Sequence, residues 1–227
     1  MKPFTALAML ALAACAHAPG AVQQTPAFVD ASTRVPGLVV ELRYAGAENF
    51  VGRPIAGYEA PVCLLARPAV EALAKVQERL AAFGLGLKLF DCYRPVRAVA
   101  DFAAWARDAA DQKRKRDYYP DIDKSQLFAL GYIAEKSGHS RGSTLDLTLI
   151  DLATHGPLDM GSSYDLFDTR SWPSDMRFTP AQRGNRMLLQ AVMRESGFRP
   201  LKEEWWHFTL AREPYPDTYF DFPVARR

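Results

Sequence analysis

Hydrophobic and polar positions change period several times along the chain. In "PGLVVELRYAG" (36–46), Val39, Glu41 and Arg43 alternate with Val40, Leu42 and Tyr44, the period-two pattern of a strand. From Arg67 the spacing becomes helical. Pro68 suits a first turn, Val70, Leu73, Val76, Leu80 and Phe83 form an apolar stripe, and Gly84 offers a stop. "LGLKLFDCY" (85–93) predicts a short strand running into Tyr93-Arg94-Pro95. A second helix is expected over 96–111, with Val99, Phe102 and Trp105 facing inward. The third has the clearest boundaries: Thr179 as cap, Pro180 at the first helical position, Gln182 three residues after the cap, and Gly197 at the end. A last strand is expected over 204–210. Helices and strands alternate without regular βαβ spacing, so the expected class is α+β, with a central, mainly antiparallel sheet flanked by helices.

Composition adds little. A chain of 227 residues, 48% apolar and 24% charged, is that of one globular domain. A net charge of +2 gives no push toward nucleic acid, and "KRKR" (113–116) reads as a solvated helix end or loop rather than an anion-binding patch. The N-terminus is more informative. Lys2 precedes an apolar stretch from Phe4 to Ala14, shorter than the ~20 residues a spanning helix needs, as in a secretory signal. Leu12-Ala13-Ala14-Cys15 resembles the lipobox of bacterial lipoproteins, in which the cysteine is lipidated; the alternative is ordinary cleavage near "ACAHA". The expected organisation is a signal peptide over 1–14, a lipidated Cys15 with a tether over 15–27, and one domain over 28–227. The mature protein then lies at the periplasmic face of the envelope, anchored through Cys15, in the outer rather than the inner membrane. Cys63 and Cys92 remain, either as a disulfide or as two buried thiols.

Once the signal is removed three histidines are left: His139, His155 and His207. Two lie in dense polar contexts, "SGHSRGSTLDLTL" (137–149) and "EEWWHF" (203–208). Two imidazoles and a carboxylate (His139, Asp146, His207) are a common catalytic donor set for Zn²⁺. Glu204 is then available as a base that does not bind the metal. Residues seven or three apart point to opposite faces of a regular strand, so both pairs need a turn, which "SRGS" can supply for the first. The plainer alternative makes these histidines hydrogen-bonded structural residues and Asp146 a turn cap. A serine hydrolase built on Ser137 or Ser140 is the least favoured of these readings. His155, in "ATHGPLD", reads as a turn residue, and Arg141 stays unassigned.

The same residues carry a family likeness. "SGHSRGSTLDLTL" followed by "EWWH" resembles the D-alanyl-D-alanine dipeptidases, zinc enzymes that include the vancomycin-resistance dipeptidase and are related in fold to D-Ala-D-Ala carboxypeptidases and hedgehog-like domains. "RYAGAENFVG" (43–52), "DCYRPVRA" (91–98) and "DMGSSYDLFD" (159–168) match in the same order, so the likeness covers residues 30 to 215. It implies a hedgehog/DD-peptidase-like zinc peptidase fold with one Zn²⁺ per chain, held by His139, Asp146 and His207. It also implies Glu204 as catalytic base and acid, and Arg94 as the group that stabilises the oxyanion. Asp165 would receive the substrate ammonium, with Ser137 and Tyr44 lining the pocket. The implied reaction is hydrolysis of a small D,D-dipeptide, with no nucleic-acid partner. The alternatives are a carboxypeptidase or endopeptidase of the same superfamily, or a zinc-bearing envelope binding module. One departure stands out: Gly138 replaces a small hydroxyl residue that the family commonly has before the first zinc histidine.

Overall fold

A computed structural model describes residues 27–226; the expected signal peptide, Cys15 and most of the expected tether lie outside the described residues. Two sheets are present among the described residues. Phe28–Asp30 (β1) pairs antiparallel with Leu64–Ala66 (β3). The larger sheet contains Val39–Val40 (β2), Leu85–Asp91 (β4), Thr144–Asp151 (β5), Phe198–Pro200 (β6) and His207–Leu210 (β7), in the order β2-β4-β5-β7-β6. Only the β2–β4 pair is parallel, so the class is α+β with a mainly antiparallel sheet, as the sequence pattern indicates.

The helices are Arg67–Ala81 (α1), Val96–Arg107 (α2), the single turn Lys115–Tyr118 (α3) and Pro180–Glu195 (α4). Helix α4 begins as the sequence reads. The Thr179 hydroxyl accepts from the Gln182 amide, and the Gln182 side chain accepts from the Thr179 amide, which satisfies two otherwise orphan donors. Helix α1 buries Val70, Leu73, Val76 and Leu80, but Phe83, expected in that stripe, is 80% exposed. The helix has already ended at Ala81, and Gly84, at φ 71, turns the chain toward β4. Helix α2 stops four residues before the expected boundary. Asp108 is extended at ψ 91 and its side chain accepts the Ala110 amide, while the buried Lys124 ammonium donates to the carbonyls of Asp108 and Asp111 at 2.7 and 2.8 Å, holding the chain in a turn after the helix.

Two local departures from regularity build the site. The strand expected over 36–46 is reduced to β2, because Arg43–Ala45 turns into a 3₁₀ segment that carries Tyr44 inward. In β4, Leu89 pairs with Leu147 while Asp91 pairs with Asp146, so Phe90 is an extra residue in a bulge. Period two would place Asp91 on the same face as Leu87 and Leu89. The bulge reverses that and brings Asp91 to the face that carries Asp146.

Candidate active site

Strand β5 is the middle of the large sheet and all but its last residue are buried. Asp146 on β5 lies opposite His207 on β7, so the two side chains share a face. His139 approaches from the turn Gly138–Arg141 that precedes β5. Ser137 caps that turn by accepting the His139 amide, and Gly142 closes it at φ 79. This is the reversal that the seven-residue spacing of His139 and Asp146 requires. Glu204 lies in the turn before β7, where the His207 amide donates to the Glu204 carbonyl.

Three donor atoms converge. His207 Nδ1 is 3.1 Å and His139 Nε2 3.4 Å from Asp146 Oδ1, and the two nitrogens are 3.3 Å apart. Donors around a tetrahedral zinc at ~2.0–2.1 Å sit about 3.3 Å from one another, so the triangle has the right size for one ion. Asp146 Oδ1 is buried without a hydrogen-bond donor, which an apolar or neutral neighbourhood would make costly. His139 Nδ1 donates to the Cys92 carbonyl at 2.7 Å, which sets the tautomer and leaves Nε2 free to bind a metal. Glu204 Oε2 lies 3.4 Å from His207 Nδ1, at the edge of the triangle. The triad, Glu204, Arg94, Asp165, Ser137 and Tyr44 all line one cavity of about 220 Å³. The structure therefore brings together every site residue singled out in the sequence, apart from Cys15.

A family model described as D-ala-D-ala dipeptidase matches residues 24–225. The D-alanyl-D-alanine dipeptidase of Streptomyces coelicolor is 44% identical over 200 residues, covering 88% of this chain and 98% of that protein. The enzyme of the same name from Enterococcus faecalis is 43% identical, over 83% of this chain and 94% of the other. A third, from Escherichia coli, is 37% identical over 83% and 87%. The chain belongs to the D-Ala-D-Ala dipeptidase family. It is thus a zinc metallopeptidase by membership, and the donor triangle fits that metal.

In this dipeptidase-family site the environment separates the carboxylates. Burial alone would push Asp146 up, but the facing imidazoles of His139 and His207 outweigh it and hold the carboxyl well below its ordinary value. Burial pushes Glu204 up to about 7, with Asp146 adding to the shift and His207 and Arg94 opposing it. Asp165 is raised well above the usual range by burial and then by Asp146, against the Tyr44 hydrogen bond and Arg94. It sits at φ 59, a left-handed conformation more accessible to Asp than to most residues. Its Oδ2 accepts from the Tyr44 hydroxyl at 2.8 Å.

Three further residues shape this site. Asp91 accepts from Arg94 Nε and Nη2 at 2.9 and 2.8 Å and from the Tyr58 hydroxyl at 2.6 Å, so it orients the guanidinium. Tyr164 donates its hydroxyl toward Asp146 Oδ2 at 3.1 Å and lies 3.2 Å from the Tyr44 hydroxyl, tying the metal-facing carboxylate to the Asp165 end of the cavity. Asp91 and Tyr164 fall inside the blocks "DCYRPVRA" and "DMGSSYDLFD", but Tyr58 carried no sequence signal. Arg141 pairs with Glu213 at 2.7 Å, and His155 is a turn residue at φ 58.

Proposed function

We propose that this chain hydrolyses D-alanyl-D-alanine to two D-alanines, using one Zn²⁺ held by His139, Asp146 and His207. When bound, zinc supplies a Lewis acid that polarises the scissile carbonyl and acidifies water. Glu204 takes the proton of the attacking water and returns it to the departing amine; a carboxyl lifted toward neutrality by burial is suited to both transfers. Arg94 presents a fixed cation to the developing oxyanion. The Asp91 carboxylate grips it on one side, and the rings of Tyr44 and Phe102 lie 5.1 Å from its carbon. Asp165, costly to ionise while empty, becomes a carboxylate when it meets the substrate ammonium, its proton leaving to solvent. Ser137 and the backbone beside Gly138 receive the C-terminal carboxylate.

The observation that carries this reading is the convergence of Glu204, Arg94 and Asp165 with the donor triangle in one cavity of about 220 Å³. Pockets for drug-sized ligands start near ~300 Å³, so the space suits a dipeptide better than the longer stem a carboxypeptidase or endopeptidase would take. A binding module would have no use for the carboxylate of Glu204 beside the metal. The Cys63–Cys92 disulfide supports an oxidising compartment. With lipidation of Cys15 it favours the periplasmic face of the outer membrane and a role in peptidoglycan turnover.

Glu204→Gln tests the catalytic assignment, because the amide keeps the volume but cannot accept a proton. Turnover should fall by ~10²–10⁴ while zinc stays at one per chain by elemental analysis. Loss of zinc in this variant, or turnover near that of the wild type, would remove Glu204 from its role.

A further inference from the structure

The disulfide lies directly behind the metal site. Cys63 precedes β3, Cys92 follows β4, and their Cα atoms are 5.3 Å apart, with both residues fully buried. The carbonyl of Cys92 is the acceptor for His139 Nδ1 at 2.7 Å. Two residues further on, the Arg94 amide donates to the His139 carbonyl at 3.3 Å. The 92–94 backbone and the His139 turn therefore clasp each other in both directions, with the guanidinium of Arg94 leaving from the same short stretch. Beyond β4 this stretch has left the large sheet. It is tied to the smaller one by the Tyr93 amide donating to the Leu64 carbonyl at 2.9 Å and by the covalent bond to Cys63. Cys63 is fixed in turn, since its carbonyl accepts the Ala31 amide at 2.8 Å.

We infer that Cys63 and Cys92 are positioning residues for the metal centre. Their bond fixes the Cys92 carbonyl, which holds the His139 imidazole in the tautomer and orientation that present Nε2 to the ion. Partners of a metal-binding imidazole set the ring angle and the nitrogen that is free, and losing one typically weakens metal binding ~10–100-fold. A disulfide acting only on the unfolded chain would instead change stability and leave the folded site as it was. The two roles thus predict different measurements.

The test rests on the metal-site assignment and uses the oxidised wild type beside Cys63→Ala/Cys92→Ala. Zinc affinity is read by competition with a chromophoric chelator, well below the unfolding midpoint of each protein. The visible bands of the Co²⁺-substituted forms report ligand geometry. The variants keep the Cys92 carbonyl and remove only its tether, so the expected result is zinc binding weakened toward the lower end of that range, up to ~10-fold, with shifted Co²⁺ bands in the folded double variant. Unchanged affinity and superimposable Co²⁺ spectra, with only a lower midpoint, would overturn the inference. Cys63→Val/Cys92→Ala restores the lost volume and provides folded protein if the alanine pair accumulates poorly. A wild type that binds no zinc would defeat the metal-site assignment itself, which is a separate outcome.

Discussion

Asp91→Asn is the perturbation whose size the structure constrains best. The side chain keeps its volume but loses its charge, opposite an Arg94 side chain that is 13% exposed. Removing one partner of a buried pair costs about 3–5 kcal/mol when the other charge is left uncompensated. Here Arg94 retains Asp146 Oδ2 at 3.8 Å and two aromatic rings, which places the expected loss near the lower end, ~2–4 kcal/mol. The intact pair adds little net stability by the same reasoning. Burial pushes the Asp91 carboxyl up even against Arg94 and His139, so desolvation consumes most of the attraction. Asp91→Asn/Arg94→Met, which leaves no orphan charge, should therefore cost clearly less than the two single changes added together, by roughly 1–3 kcal/mol. Urea denaturation of the four proteins, with the disulfide intact and zinc removed, measures the cycle. An Asp91→Asn midpoint equal to wild type, or strictly additive costs, would refute the claim that Asp91 holds Arg94 through charge.

Gly142→Ala forces a Cβ to within 2.0 Å of the Phe28 ring at φ 79; left-handed strain and overpacking together should cost about 2–4 kcal/mol, read as a lower thermal midpoint, and an unchanged midpoint would show that Phe28 moves freely. Asp101 is held below the ordinary carboxylate range by the Arg53 hydrogen bond, against partial burial, and by the Ala56 amide. A depressed pKa contributes stability that is present above the unfolded value of ~3.9 and lost as pH falls through the folded one. Asp101→Asn should therefore flatten the acid limb of stability against pH below about 4; an unaltered limb in urea midpoints would count against it.

What the sequence revealed follows what is local. The α4 cap is legible because Thr179, Pro180 and Gln182 act within four residues of one another. His139, Asp146 and His207 were legible as one candidate donor set because few histidines compete, and the family motif decided for them and for Glu204. Their geometry was not legible, since Asp146 meets His207 through a strand register that no run of sequence encodes. Asp91 went unassigned for a related reason: strict alternation puts it in the core with Leu87 and Leu89, and only the bulge at Phe90 turns it to the site. Strand β5 carries a period-two pattern over 144–149, yet both of its faces are buried, and Thr144, Asp146 and Thr148 lie inside as fully as the leucines between them. The disulfide was undecidable from spacing, as it depends on how β3 and the end of β4 are brought together. Gly138 has a physical reason to be glycine: a Cβ there would sit 2.9 Å from the Thr144 hydroxyl, which is bonded to Thr209.

In the proposed reaction Asp165 confines the enzyme to dipeptides by requiring a free amino end. Zinc-loaded protein starting after Cys15, given D-Ala-D-Ala and N-acetyl-D-Ala-D-Ala side by side, tests it through the D-alanine released. Only the free dipeptide should be cleaved, because an acylated nitrogen would leave a buried carboxyl without its partner. Comparable cleavage of the blocked substrate would contradict it and move the protein to the carboxypeptidases.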